Sequence, residues 1–255
     1  MGSASPQLTS TPAPNLAPAV HPPKLVALGD SLVYGYGDPE QGGWAELLRR
    51  HWMGQTLSAG APNSAVLGPG APSPGAPSPG APSPVLYNLG VRGDGVFQVW
   101  QRLEGEFSQR GELRSRLPDG ILLSVGVNDS AQLGRFGGRN AMELGRFEGA
   151  IAQLLDQAQR LAPTYFIGMV PVDETRMPFL DCFYYSHEQQ QRYGHVTRLA
   201  CESRQIPYLD LFDPWRSRGA LWCQARLCAD GLHPNSLGHR EIFQTLLAWT
   251  ALDSI

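Results

Sequence analysis

Five short apolar runs, each closing on small or polar residues and most followed by a stretch of helical periodicity, constrain this chain more than any other feature. The first is Lys24-Leu25-Val26-Ala27-Leu28-Gly29, which ends in glycine just before Asp30-Ser31. Continuous apolar runs of this length are what strands buried on both faces require. Further runs at 85–89, 121–127, 165–170 and 207–211 predict four more strands. Between and after them, apolar residues recur at helical spacing. Trp44, Leu47, Leu48 and Trp52 predict a helix over 43–52, and Val96, Val99, Trp100 and Leu103 predict a second. Others are predicted over 141–161, 186–205 and 236–252. Strand alternating with helix implies an α/β protein whose five-stranded parallel sheet is covered on both faces. Ligands bind such sheets beyond the carboxyl ends of the strands.

The organisation around this core is uneven. Residues 1–23 are rich in Pro, Ala, Ser and Thr and read as a flexible tail, leaving 24–255 as one domain. A Pro-rich insertion at about 61–84 interrupts that domain. It contains Gly-Ala-Pro-Ser-Pro at 70–74, repeated at 75–79 and 80–84. Proline removes backbone donors and disfavours helix, so the stretch is expected to be extended. An SH3-type partner is conceivable for it, but a tolerated surface insertion is the favoured reading. Of 255 residues, 42% are hydrophobic and 17% charged, and the net charge is -3. That balance points away from a nucleic-acid-binding surface. No run of about 20 apolar residues predicts a membrane span. The first residues lack the basic and apolar regions of a signal peptide, so a cytoplasmic location is expected.

The strand ends carry the chemistry. The first strand runs into Gly29-Asp30-Ser31-Leu32, the second into Asn88-Leu89-Gly90-Val91-Arg92-Gly93-Asp94, and the third into Gly126-Val127-Asn128-Asp129. Asp230-Gly231-Leu232-His233-Pro234 precedes the closing helix. Acyl transfer to serine needs a hydroxyl, a base, a group that orients the base, and donors for the oxyanion. Ser31, His233 and Asp230 supply the first three, while the Gly90 N–H and the Asn128 amide are candidate donors. Taken singly, each piece is ordinary: Ser31 could cap a helix, Asn128-Asp129 could be a turn, and His-Pro a loop. Their joint occurrence at strand ends is what carries the reading. Asp30 could orient the nucleophile loop, and Arg92 and Asp94 read as a loop ion pair. His187, His195 and His239 read as surface or packing residues. Cys182, Cys201, Cys223 and Cys228 read as packed thiols, and zinc held by Cys223, Cys228 and His233 lacks a fourth ligand. The glycines at 35, 37, 42 and 43 do not spell G-x-G-x-x-G, and no G-x-S-x-G surrounds Ser31.

Gly-Asp-Ser-Leu at 29–32, Gly90, Gly-Val-Asn-Asp at 126–129 and Asp-Gly-Leu-His-Pro at 230–234 together resemble the four blocks of the SGNH (GDSL-type) hydrolase family. The resemblance covers essentially all of 24–255, and the Pro-rich insertion departs from it. It implies a flavodoxin-like three-layer α/β/α sandwich. It implies Ser31 as nucleophile, Asp230 and His233 as its partners, and an oxyanion hole of the Ser31 N–H, Gly90 and Asn128. No metal or other cofactor is implied. The expected activity is a serine esterase acting through an acyl-serine on a small-molecule ester of short acyl chain. Thioesterases, lysophospholipases and carbohydrate deacetylases share the family. The alternative from another class is a non-catalytic binding module on the same scaffold.

Overall fold

The computed structural model describes residues 23–59 and 85–254. The expected tail and the GAPSP repeats lie outside the described residues. The chain opens with β1 (Lys24–Gly29) and the single-turn helix α1 (Ser31–Tyr34), then α2 (Gly43–Ala59). Next come β2 (Val85–Gly90), α3 (Val96–Gln109), β3 (Gly120–Ser124) and the short α4 (Val127–Ser130). The two-residue β4 (Gln132–Leu133), α5 (Leu144–Leu161), β5 (Thr164–Ile167), β6 (Phe183–Tyr184) and α6 (His187–Glu202) follow. The chain finishes with β7 (Tyr208–Leu209), α7 (Phe212–Ser217), α8 (Ala220–Gln224), α9 (Ser236–Leu247) and a 3-10 turn at Thr250–Ser254.

The main sheet has the order β2-β1-β3-β5-β7, with every pairing parallel. Counted among its own five strands, this is the flavodoxin-like order 2-1-3-4-5. β1 and β3 are buried along their whole lengths, as their unbroken apolar sequences anticipate. α2 packs with α9, and α5 packs with both α3 and α6. With right-handed crossovers, these two groups cover opposite faces of the sheet, giving three layers. The strand order reverses at β1, so the residues following β1 stand at the crevice where such sheets bind ligands.

The differences from the sequence reading have local causes. The apolar run 121–127 leaves the sheet after Ser124, because Gly126 adopts φ 123° and turns the chain into α4. α5 starts at Leu144 rather than 141, because the Glu143 carboxylate caps it by accepting from the Arg146 N–H. α2 runs on to Ala59, and α9 ends at Leu247 before the 3-10 turn. α1, α4, α7, α8, β4 and β6 are too short for periodicity to reveal.

Phe147 shows how the helical layer is seated. It is fully buried, its ring lies 4.8 Å from that of Tyr193 on α6, and its edge faces Gly126. Phe147→Ala is expected to destabilise the fold by about 3–5 kcal/mol, the range for truncating a buried phenylalanine. Urea unfolding checks this. A loss under about 1 kcal/mol would mean that the α5–α6 contact closes over the cavity.

Candidate active site

The site is built from four chain segments that the fold carries to one end of the sheet. β1 delivers Ser31 at the first residue of α1, whose turn is capped by the Asp30 carboxylate accepting from the Leu32 N–H at 2.9 Å. The first N–H groups of a helix have no intrahelical acceptor, so the Ser31 N–H is available there. Ser31 is buried and its Oγ lies 2.9 Å from His233 Nε2, across 202 positions of sequence. The other ring nitrogen, Nδ1, lies 2.7 Å from Asp230 Oδ2. Asp230 Oδ1 also accepts from the backbone N–H groups of Leu232 and His233, so the carboxylate shapes the loop that presents the ring. Two aromatic edges hold the imidazole in place: Tyr36 at 4.4 Å between centroids and Phe179 at 5.7 Å.

The approach of the histidine loop depends on the closing helix. Asn235 caps α9 by accepting from the Leu237 and Gly238 N–H groups. Asp38 accepts from the Ser236 hydroxyl at 2.7 Å and from the Gly43 N–H at 3.0 Å, tying the segment after α1 to α9. His239 is fully buried, as the packing alternative of its reading expects. Its Nδ1 accepts from the Trp44 N–H, leaving Nε2–H to donate to the Tyr36 carbonyl at 3.0 Å. It thereby fixes the residue whose ring braces His233. Burial lowers its pKa, against the opposing pull of the Tyr36 carbonyl and Asp38.

β3 delivers Asn128 on α4, beside β1 at the same sheet edge. Its Nδ2 donates to the Asp94 carbonyl at 2.8 Å, and its Oδ1 accepts from the Tyr185 hydroxyl at 3.3 Å. Gly90 does not fit the role expected of it. Its N–H donates to Asn88 Oδ1 at 3.0 Å, and a Cβ on it would stand 2.2 Å from the Tyr34 nitrogen. Gly90 is a glycine because α1 presses on β2 there. The turn beyond it has an open glycine, Gly93, at φ 82° with no atom within 4 Å of where a Cβ would lie. Its neighbours both reach the site. The Arg92 guanidinium lies 3.9 Å from the Tyr36 ring centroid, and the Asp94 carbonyl takes the Asn128 amide. Arg92 and Asp94 are therefore not a pair, since Asp94 bonds Arg102 at 2.7 Å.

Comparisons with known proteins fit this geometry. The family described as GDSL-like Lipase/Acylhydrolase matches residues 27–241. The chain belongs to this family. No match was found among curated proteins. Among solved structures, a lipase/acylhydrolase from Enterococcus faecalis shares 16% identity at a TM-score of 0.64, covering 91% of this chain and 96% of that one. The psychrotrophic esterase EstA from Pseudoalteromonas sp. shares 15% at 0.57, covering 88% and 94%. An acetylxylan esterase from Geobacillus stearothermophilus shares 16% at 0.59, covering 89% and 93%. These likenesses show the SGNH hydrolase fold, and family membership makes the protein a hydrolase acting on esters. Among the described residues, no helix is long and apolar enough to cross a membrane.

Several side chains of this GDSL site escaped the sequence reading. Tyr36, Phe179 and Tyr185 lie outside the four blocks and in segments with no periodicity. Gly93 had a faint signal, as the second glycine of Gly-Val-Arg-Gly. Among the four cysteines, Cys223 and Cys228 are free thiols that turn to separate carbonyls, Trp215 for one, Gly37 and Pro234 for the other.

Three carboxyl groups around Ser31 are shifted in opposite directions. Burial pushes the Asp30 pKa up to about 7, helped by the charges of Asp129 and Asp94 and opposed by the Leu32 N–H. Burial likewise raises Asp129 to about 6, although it accepts from the Val96 N–H at the start of α3. Burial alone would raise Asp230 too. The hydrogen bonds from the His233 ring and from the backbone of His233 and Leu232 outweigh it and hold the carboxyl below its ordinary value. The sign for stability follows for Asp30. Between an unfolded value near 4 and about 7, the folded chain holds the extra proton, so this group's contribution falls as pH rises. Asp30→Asn keeps an acceptor for Leu32 and removes the titration. Its urea midpoint relative to the parent should therefore rise steadily between pH 4 and pH 8. A difference that stays flat would mean Asp30 ionises alike in both states.

Proposed function

We propose that the protein is a serine esterase that works through an acyl-serine intermediate. The observation that carries this reading is the continuous line from Ser31 Oγ to His233 Nε2 and from His233 Nδ1 to Asp230, at 2.9 and 2.7 Å. Those are the distances at which a hydroxyl, its base and the base's orienting carboxylate exchange and share protons.

In this mechanism His233 takes the Ser31 proton as Oγ attacks the ester carbonyl. Asp230, ionised and fixed by two backbone N–H groups, keeps Nδ1 protonated and stabilises the imidazolium that forms. The tetrahedral oxyanion lies against the Ser31 N–H, which has no intrahelical acceptor at the start of α1, and against the remaining Nδ2 hydrogen of Asn128. The third donor is assigned to the Gly93 N–H rather than to Gly90, because the Gly90 N–H is committed to Asn88. His233 then returns the proton to the leaving alcohol, and the same base activates water to release the acyl group. The residues need no metal for any of these steps.

The reading extends to small-molecule esters of short acyl chain, which the likeness to acetylxylan esterases supports. Acetyl esters, including acetylated carbohydrate, are the first substrates to try, followed by acyl esters of graded length, an acyl thioester and a lysophospholipid.

Ser31→Ala should leave the thermal melt unchanged and lower kcat/KM on p-nitrophenyl acetate by about four orders of magnitude. A fluorophosphonate should label the parent protein on Ser31 and abolish its turnover. Retention of more than about one tenth of the activity by the variant would overturn the assignment.

A further inference from the structure

Asn128 has two amide hydrogens and one amide oxygen, and its surroundings settle where each goes. The Asp94 carbonyl can only accept, so it takes one Nδ2 hydrogen. The Tyr185 phenol has a hydrogen to give, and it gives it to Oδ1. Turning the amide over would set two oxygens against each other at Asp94, so that carbonyl decides which way the amide faces, and the phenol then meets Oδ1. One Nδ2 hydrogen is left, and the plane of the amide fixes its direction.

Tyr185 is built into this contact. It is buried, and its ring meets Phe179 at 6.3 Å in an edge arrangement, while Phe179 in turn braces His233. The β4–β6 ladder pairs Gln132 with Tyr184, so the residue after β6 is held beside the segment that begins at α4. Asn140 braces the same corner by donating to the Ser130 carbonyl and to Gln189. Ser186, immediately after Tyr185, caps α6 by accepting from the Gln189 N–H, which anchors the tyrosine's backbone from the other side. A buried hydroxyl next to an amide that must point in one direction does more than fill space, since phenylalanine would fill it equally well.

We propose that Tyr185 is a positioning residue for ester hydrolysis: its hydroxyl holds the Asn128 amide so that the free Nδ2 hydrogen faces the developing oxyanion. This rests on Asn128 acting as an oxyanion donor. The hydrogen bond of the Tyr185 side chain goes to Asn128, so it acts through that amide. A donor matters most when charge develops, and losing one outright costs about a hundredfold or more in kcat. Loosening one, with water free to compete for it, should cost less.

The test is a double-mutant cycle on p-nitrophenyl acetate, with kcat normalised to folded enzyme by fluorophosphonate titration. Tyr185→Phe should lower kcat about tenfold, leave KM within about twofold, and shift the melt by only a few degrees. In the Asn128→Ala background, the same substitution should have no further effect on kcat. An equal loss in both backgrounds, or a loss confined to KM, would overturn the proposal, because either means that Tyr185 acts through something other than Asn128. If Asn128→Ala alone retained the parent kcat, the oxyanion assignment beneath the proposal would be the part that failed. Should Tyr185→Phe melt near assay temperature, the cycle is run on fluorophosphonate inactivation rates in the cold. There the same non-additivity is expected, and additive effects overturn the proposal.

Discussion

The burial of β1 on both faces and both edges is the constraint on which the rest of the structure depends. It pairs with β2 from Lys24 to Gly29 and with β3 from Leu25 to Gly29, and all six of its residues are buried. A strand so enclosed cannot slip by one residue without driving its apolar set out of the core. The residue that follows it is therefore placed as firmly as anything in the molecule. A Cβ on Gly29 would lie 1.9 Å from the Ser124 carbonyl, so β1 and β3 pack at their ends as closely as backbone allows. Ser31 and the Asn128 turn are brought together by this packing rather than by any contact of their own.

Around that rigid edge the protein concentrates acid. Asp30, Asp94 and Asp129 follow the ends of β1, β2 and β3 within a few residues, Asp230 joins them from the loop before α9, and their environments set them apart. Asp94 is neutralised by Arg102, which also donates to the Gly29 and Leu89 carbonyls and so locks the sheet end. Asp230 keeps its charge through three hydrogen bonds. Asp30 and Asp129 lack a cation and are pushed toward the neutral form by burial. The carboxyl beside the imidazole is thus held below its ordinary value while these two are raised above it. The buried carboxyls have local work instead, as caps for α1 and for the start of α3, and their desolvation opposes the stability those caps contribute.

Aromatic rings complete the site. Tyr36, Phe179 and Tyr185 come from the segment after α1 and from the turn around β6, and they pack against His233 and Asn128. The orientation of a catalytic side chain is only as definite as what packs on it. Here the imidazole is fixed by two ring edges as well as by its hydrogen bonds, and the Asn128 amide by a carbonyl and a phenol. The two-residue β4–β6 ladder, minor as secondary structure, is what brings the second ring group to the sheet edge.

What the sequence determined by itself is what repeats or is confined to a few neighbouring positions. Apolar runs and helical spacing were enough for the α/β class, the five parallel strands and the long helices, because burial imposes those periods directly. The four short blocks were enough to single out Ser31, Asn128, Asp230 and His233, which the fold carries to one end of the sheet. Only the tertiary structure could separate Gly90 from Gly93. Gly90 and Gly93 look alike in sequence, and the difference is that Asn88 and α1 occupy the surroundings of one and leave the other open. Only the fold could reveal His239 as a buried brace, or show Tyr185 meeting an amide 57 positions away. These contacts join segments with no pattern in common, and no local rule of sequence records which side chains distant stretches will bring face to face.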